Sequence, residues 1–310
     1  MGQPQMPLDD ARYHPDPGEP VDRWFQAANA SNARTTIHIV ENVVREPPTV
    51  VIDPFAGGGS TASAARILRL PFYGIETDPV LACVSLAKAE GHTRHADLLA
   101  AFSGVHDPEG LAPALAEIRA RCAPWDVPVV SAMAILAGLR AARNDRLTPG
   151  ELGGDLTIHE VATPAGRIVR GDAGDGAAWK VLGIPPVGAV MYTSPPFDRT
   201  SPVLDAPEYL TAEAREVLGA GCVDTLGETV PKFDGYTNTT VGMLHWAAEH
   251  LHRATLVIEH EPDDDGVDST TAVVERVRAE LSDVVHNPRI VRCGEFSRRG
   301  MLSLMIFDFR

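Results

Sequence analysis

Short runs of β-branched and aliphatic residues alternate with longer amphipathic stretches near the start of the chain. Residues 49–52 predict a buried parallel strand, and the stretch 61–70 predicts a helix that ends before a proline. A second strand over 72–75 and a second helix over 80–91 follow. Because strand–helix–strand units of this length form parallel sheets, the pattern predicts a doubly wound α/β fold.

The same alternation returns in the second half of the chain. Strands are expected at 167–170, 188–192, 254–258, 288–293 and 301–308, with helices near 240–251 and 269–282. A helix within 21–44 precedes the first strand. We therefore expect a Rossmann-like, mostly parallel sheet of seven strands, built by residues 23–96 and 167–310.

Two regions depart from this pattern. Residues 1–22 are rich in proline and aspartate and predict an irregular N-terminal arm. Residues 97–166 have helical spacing over 111–121 and 129–143, then a glycine-rich break and a strand-like run at 156–161. This region predicts an inserted helical lobe that contacts substrate, with the polar segment 198–238 as a smaller addition.

Composition limits the classes of protein that the chain can belong to. It has 310 residues, 44% of them hydrophobic, and no apolar run approaches the roughly 20 residues that cross a bilayer. With no secretory signal at the start, a cytoplasmic location is expected. Four isolated cysteines and eleven histidines without paired spacing predict no metal site, and the acidic run 259–265 is expected to be a solvated loop.

A glycine-rich turn follows the first strand and opens the first helix of the sheet. It reads Asp-Pro-Phe-Ala-Gly-Gly-Gly-Ser-Thr from Asp53 to Thr61. Glycines allow close approach of a ligand, and a helix N-terminus attracts a negative group. Glu76, at the end of the second strand, is placed to accept hydrogen bonds from ribose hydroxyls. The turn has neither the GxGxxG of a dinucleotide fold nor the lysine of a P-loop. Judged from the glycine-rich turn alone, NAD remains an alternative ligand.

A proline pair follows a later strand, in Thr193-Ser194-Pro195-Pro196-Phe197. Neither proline nitrogen can donate a hydrogen bond, so the carbonyls of Ser194 and Pro195 are left as acceptors at the carboxyl end of the strand. A planar amine that donates to such carbonyls turns its lone pair out of the ring plane. Phe197 is placed to stack on the ring of an acceptor base. A proline turn that merely ends the strand is the structural alternative.

The blocks DPFAGGGST, GIETDP and TSPPF together resemble the class I amino-methyltransferase family, which methylates exocyclic amines of adenine or cytosine in DNA. The resemblance implies S-adenosylmethionine as cofactor and Ser194, Pro195, Pro196 and Phe197 as catalytic residues. Serine in the first position leans towards the cytosine-type enzymes, and phenylalanine replaces the usual tyrosine in the fourth. The donor-binding residues that it implies are Asp53, Pro54, Phe55, Ala56, Gly57, Gly59, Ser60, Thr61, Glu76, Asp172 and Thr193.

Asp172 belongs to a fourth block, Arg-Gly-Asp-Ala, which follows the strand at 167–170. Similar enzymes place an acid here near the adenine amino group of the donor. An aspartate that shapes the turn before Gly174 is an equal alternative.

The acceptor remains open at the level of sequence. The resemblance favours DNA. Five arginines of the inserted region could follow phosphates or equally form solvated helix faces: Arg119, Arg121, Arg140, Arg143 and Arg146. The net charge of −15 argues against nucleic-acid binding. The second alternative is a related enzyme that acts on RNA or on a small-molecule or peptide amine. A catalytically silent binding module is the third alternative. No membrane partner is expected.

Overall fold

The computed structural model describes residues 33–44, 46–90, 120, 166–185, 188–195, 224–225, 235–260, 268–297 and 300–310. Numbered within these ranges, the strands are β1 (Val50–Asp53), β2 (Phe72–Glu76), β3 (Arg167–Arg170), β4 (Ala189–Thr193), β5 (Asp224–Thr225), β6 (Thr255–His260), β7 (Val285–Ser297) and β8 (Gly300–Phe309). The helices are α1 (Ala33–Asn42), α2 (Ser60–Ile67), α3 (Pro79–Glu90), α4 (Gly176–Leu182), α5 (Gly235–His250) and α6 (Thr270–Glu280).

All eight strands belong to one sheet, in the order β5-β3-β2-β1-β4-β6-β8-β7. The pairings from β5 to β6 are parallel, whereas β8 runs antiparallel to both β6 and β7. Strand β1 lies between β2 and β4, so the order of strands along the chain reverses at β1. The structure confirms the predicted doubly wound, mostly parallel sheet and adds the two-residue strand β5, which was not predicted.

Helices cover both faces of this sheet. Helices α4, α5 and α6 contribute to the larger buried cluster, which includes Trp179, Leu244 and Val277. Helices α1, α2 and α3 cover the other face through smaller clusters that include Ile39 and Ala62. Strands β1 and β4 are buried at every position, as continuous apolar runs predict for central parallel strands.

Most predicted strands are confirmed within one or two residues, but β6 is longer than its apolar run. It continues through Glu259 and His260, which are 0% and 2% exposed. Antiparallel pairing with Leu304 and Ser303 of β8 holds these two residues in the sheet. The prediction that a solvated loop begins at residue 259 is therefore wrong for both of them. Helix α4 was not predicted.

Several sequence predictions fall outside the described residues. They concern the arm 1–22, the helical part of 21–32, most of the lobe 97–166 with its elements at 111–121, 129–143 and 156–161, and most of the segment 198–238. Among the residues that are described, no helix has both the length and the apolar character needed to cross a membrane.

We predict that Leu256→Ala, in the centre of the sheet, lowers the free energy of unfolding by about 2–5 kcal/mol, because it leaves a cavity at a position that is 0% exposed. Urea denaturation measures the loss. The control, Ile67→Ala, removes a side chain that is 39% exposed and is expected to cost less than about 1 kcal/mol. Equal losses for the two variants would contradict the described burial.

Candidate functional site

Four polar residues that the sequence singled out meet at the carboxyl edge of the sheet. Asp53, Glu76 and Thr193 are the last residues of β1, β2 and β4, and Ser194 follows directly. Ligands of open α/β sheets bind outside the carboxyl ends of the strands, where the strand order reverses. The structure therefore brings the predicted donor motif and the start of the catalytic motif together at this point.

Asp53 joins the two central strands. The Thr193 hydroxyl donates to its Oδ1 at 2.6 Å, and the Phe55 N–H donates to the same oxygen at 3.1 Å. The Thr61 side chain, at the start of α2, also hydrogen-bonds to this carboxylate. Burial raises the pKa of Asp53 to about 6, against the lowering effect of these hydrogen bonds. Asp53 thus fixes the geometry around the donor turn.

Glu76, at the end of β2, is in contact with the glycine-rich turn. Its Oε2 accepts the Gly57 N–H at 2.7 Å, and its Oε1 accepts the Asp78 N–H at 2.9 Å. The side chain lies almost entirely within the protein, and burial raises the pKa of Glu76 to about 7. Each carboxylate oxygen has two lone pairs, so these bonds leave acceptor capacity for a ligand hydroxyl.

The two glycines with left-handed backbone in this turn have different roles. Gly59 (φ 80°) caps α2, and a Cβ there would lie 2.8 Å from the Ser85 Cα of α3. Gly57 (φ 50°) has only its neighbouring Phe55 carbonyl near the position of a Cβ, at 3.7 Å. Packing on α3 therefore requires glycine at 59, while the open side of Gly57 allows the close approach of a ligand.

Helix α3 holds the turn from behind, which the sequence did not indicate. The Ser85 hydroxyl donates to the Gly57 carbonyl at 2.7 Å and lies 3.4 Å from the Ala56 carbonyl. Lys88, one turn further along α3, is 1% exposed. A serine and a lysine three positions apart on a buried helical face were the only signal available, and this spacing alone does not reveal what they contact.

Two tryptophans fix the loop that carries Asp172. The Trp179 indole donates to the Ala173 carbonyl at 2.9 Å, and the Trp246 indole donates to the Gly174 carbonyl at 3.0 Å. Asp172 Oδ1 accepts the Gly174 N–H at 2.8 Å. The structure thus shows the turn-forming role that was one of the two alternatives for Asp172. Its contact with the donor adenine stays a prediction.

The catalytic motif is described only in part. Ser194 is partly exposed at the end of β4, and Pro195 is buried. Pro196 and Phe197 lie outside the described residues, so the stacking role of Phe197 stays a prediction. Within the ranges described, no group of three His, Cys, Asp or Glu side chains is placed to hold a metal ion.

We predict that Gly59→Ala costs clearly more stability than Gly57→Ala. Both substitutions put a Cβ on a residue with positive φ, at roughly 1–2 kcal/mol each, but only the Cβ at 59 would meet α3, at 2.8 Å. Urea unfolding of the two variants gives the comparison, in which position 57 is the matched control. A smaller loss at 59 than at 57 would contradict the contact with Ser85.

We predict that Glu76 makes the protein less stable as the pH rises. The pKa is raised from 4.5 to about 7, so between these values the folded state keeps a proton that the unfolded state has lost. This contribution to stability is complete below pH 4.5 and is lost as the pH rises through about 7.

Glu76→Gln removes this dependence. From pH 5 to pH 8, the unfolding free energy of the wild type should fall by about 2–3 kcal/mol relative to that of the variant. Urea titrations at both pH values measure the difference. Glu275→Gln, on the exposed face of α6, is the control and should follow the wild type. A constant difference between wild type and Glu76→Gln would refute the prediction.

No protein-family model matches the sequence, and no curated protein is similar to it. Among solved structures, the chain is similar to an rRNA methyltransferase, AviRa from Streptomyces viridochromogenes, at 18% identity and a TM-score of 0.40, over 96% of this chain and 89% of that one. A putative class I S-adenosylmethionine-dependent methyltransferase from Listeria monocytogenes is 10% identical, with a TM-score of 0.40, over 89% and 58% of the two chains.

The magnesium protoporphyrin IX methyltransferase of Synechocystis PCC 6803, solved with bound S-adenosylhomocysteine, is 8% identical, with a TM-score of 0.39, over 90% and 82% of the two chains. These distant likenesses identify no family or acceptor for this chain. What its site can do follows from its own strand order and the residues at the carboxyl edge.

Proposed function

We propose that this protein is an S-adenosylmethionine-dependent N-methyltransferase that acts on an exocyclic amine of adenine or cytosine in DNA. One observation carries the proposal. The carboxylates of Asp53 and Glu76 flank the turn at Gly57, and the Asp53 carboxylate is hydrogen-bonded to Thr193, directly before Ser194 and Pro195. A nucleoside-binding turn thus adjoins carbonyl acceptors at the point where the strand order reverses. A cytoplasmic location is part of the proposal.

The residues present fit the donor. Glu76 is a buried carboxylate. Its Oε1 accepts from the Asp78 N–H and the Thr77 hydroxyl, while its Oε2 accepts the Gly57 N–H. The remaining lone pair of Oε2 suits one hydroxyl of a ribose. Helix α2 begins without a side-chain cap, so its first N–H groups suit the carboxylate of a methionine. When bound, S-adenosylmethionine supplies a methyl group on a positively charged sulfur, which keeps the electron pair of the broken C–S bond.

The protein's contribution to the reaction is mainly positioning. Pro195 has no N–H, so the backbone here offers acceptors to an incoming amine rather than a competing donor. The carbonyls of Ser194 and Pro195 accept the amine hydrogens and direct its lone pair towards the methyl group. Phe197 stacks on the base. Holding the reacting atoms in line removes much of the entropic cost of the reaction.

An amine of RNA, of a peptide or of a small molecule is the second candidate acceptor. The net charge of −15 favours the peptide and small-molecule amines of this group, because a protein that neutralises the many phosphates of DNA or RNA needs a basic surface. The described carboxyl edge of the sheet is acidic too, since Asp53 and Glu76 both lie there with buried side chains.

Donor binding is tested with calorimetric titration of S-adenosylmethionine. We predict binding by the wild type and an affinity about 10- to 100-fold lower for Glu76→Ala, because the ribose loses a charge-assisted hydrogen bond. Glu275→Ala, on exposed α6, is the control and should bind as the wild type does. No binding by the wild type would refute the function.

The acceptor is tested with tritium transfer from labelled S-adenosylmethionine to duplex DNA, total RNA and small-molecule extracts in parallel. Transfer to duplex DNA is expected. If the protein binds the donor but labels only RNA or the extracts, DNA is replaced by that acceptor.

A further inference from the structure

Glu259 lies at the carboxyl edge on the far side of β4 from the donor-binding strands. Strand β6 pairs with β4 in parallel, with Ile258 opposite Thr193. Glu259 therefore stands level with Ser194, one residue beyond this pair. It is 0% exposed, although sequence reasoning placed it in a solvated loop. A glutamate at a fully buried strand end beside a reaction site is a functional candidate, because burying it costs stability.

The face of the sheet on which Glu259 lies is also defined. It is opposite Leu304 of β8, and directly paired residues share a face. Leu304 belongs to the buried cluster with Tyr192, Val257 and Ile39 of α1. Glu259 thus lies on the side of the sheet that α1 covers. Its charge is also one of the smaller causes, after burial, of the raised pKa of Asp53, which places the two carboxylates within electrostatic reach of each other.

A buried hydroxyl of α1 lies towards the same edge. The other end of α1 leads to Val44, which lines a cavity with Gly188 at the amino end of β4, so the start of α1 lies towards the carboxyl edge. Thr36 is one turn nearer that edge than Ile39. It is 0% exposed, and its Oγ1 has no hydrogen-bond partner within the described part of the chain. A buried hydroxyl without a partner is rare in a folded protein, so this one is available to hydrogen-bond a ligand.

The acidic side chains and Ser194 lie at the carboxyl edge of four adjacent strands, in the order β2, β1, β4 and β6. Glu76 on β2 and Asp53 on β1 belong to the donor side, Ser194 follows β4, and Glu259 is on β6. Neighbouring strands are about 4.8 Å apart, so Glu259 is separated from the ribose-binding Glu76 by roughly 14 Å. Glu259 thus lies beyond Ser194, on the opposite side of β4 from Glu76.

Resting on the proposed methyltransferase function, we propose that Glu259 is the proton acceptor of the reaction, with the Thr36 hydroxyl beside it in the acceptor pocket. The acceptor nitrogen uses its lone pair to form the new C–N bond and then carries one proton too many. The Glu259 carboxylate takes this proton and becomes a neutral carboxylic acid. Because the side chain is 0% exposed, the proton leaves when the methylated product departs and water takes its place. The Ser194 hydroxyl cannot do this, because an alcohol is a poor base at neutral pH. The acceptor class is an amine that bears at least one hydrogen.

The test is Glu259→Gln, which keeps the shape of the side chain and removes its basicity. Tritium transfer is measured to duplex DNA, total RNA, adenosine and cytidine, and the variant is compared on whichever probe the wild type methylates. We expect kcat to fall by about 100-fold or more, the lower range for a positioned proton acceptor. The KM for that probe and the Kd for S-adenosylhomocysteine should stay within about threefold of the wild type, since a glutamine side chain keeps the packing.

Two further variants separate this role from a structural one. Glu275→Gln removes a carboxylate from the exposed face of α6 and should leave kcat unchanged. Thr36→Val, which keeps the volume of the side chain, should raise KM more than it lowers kcat. An unchanged kcat for Glu259→Gln, or equal losses in kcat and donor affinity, would overturn the role of Glu259. If the wild type labels none of the four probes, both the nucleobase acceptor and the role of Glu259 are overturned; a labelled wild type with an unchanged variant overturns the role of Glu259 alone.

Discussion

The hydrogen bond from Thr193 to Asp53 holds the site together. It joins the ends of β1 and β4, the neighbouring strands at which the order of strands along the chain reverses. The same carboxylate oxygen accepts the Phe55 N–H, and the Thr61 side chain reaches it from α2. One buried carboxylate therefore sets the position of the donor turn, the helix behind it and the strand that leads to the catalytic motif.

The turn itself is fixed from two sides before any ligand binds. On the ligand side, Glu76 holds the Gly57 N–H, and behind the turn Ser85 donates to the Gly57 carbonyl. The peptide groups on both sides of Gly57 are thus anchored by protein side chains. A site preorganised in this way loses less conformational entropy on binding, which offsets part of the cost of burying two carboxylates.

The sequence predicted the fold and the position of the glycine-rich turn well for a local reason. Continuous β-branched runs such as that of β1 need no information from distant residues, and a glycine turn between strand and helix is defined by its own neighbours. It failed where distant pairing decides the outcome. The acidic Glu259 belongs to a strand because β8 pairs with it, and Ser85 matters because α3 packs on Gly59. No window of sequence around either residue contains its partner.

The buried acidic side chains at the carboxyl edge bear on which atom is methylated under the proposed function, and not on which molecule carries that atom. A carboxylate accepts hydrogen bonds and protons but donates none when ionised, so in the proposed reaction buried Glu259 suits an N–H and repels a carbonyl or a phosphate. The same preference holds for an amine in DNA, in RNA or in a small molecule. Phosphates of a polymeric acceptor must be held elsewhere, because acids at Glu76, Asp53 and Glu259 line this face of the described edge. The chemistry of the site thus constrains the target atom more tightly than the identity of the substrate.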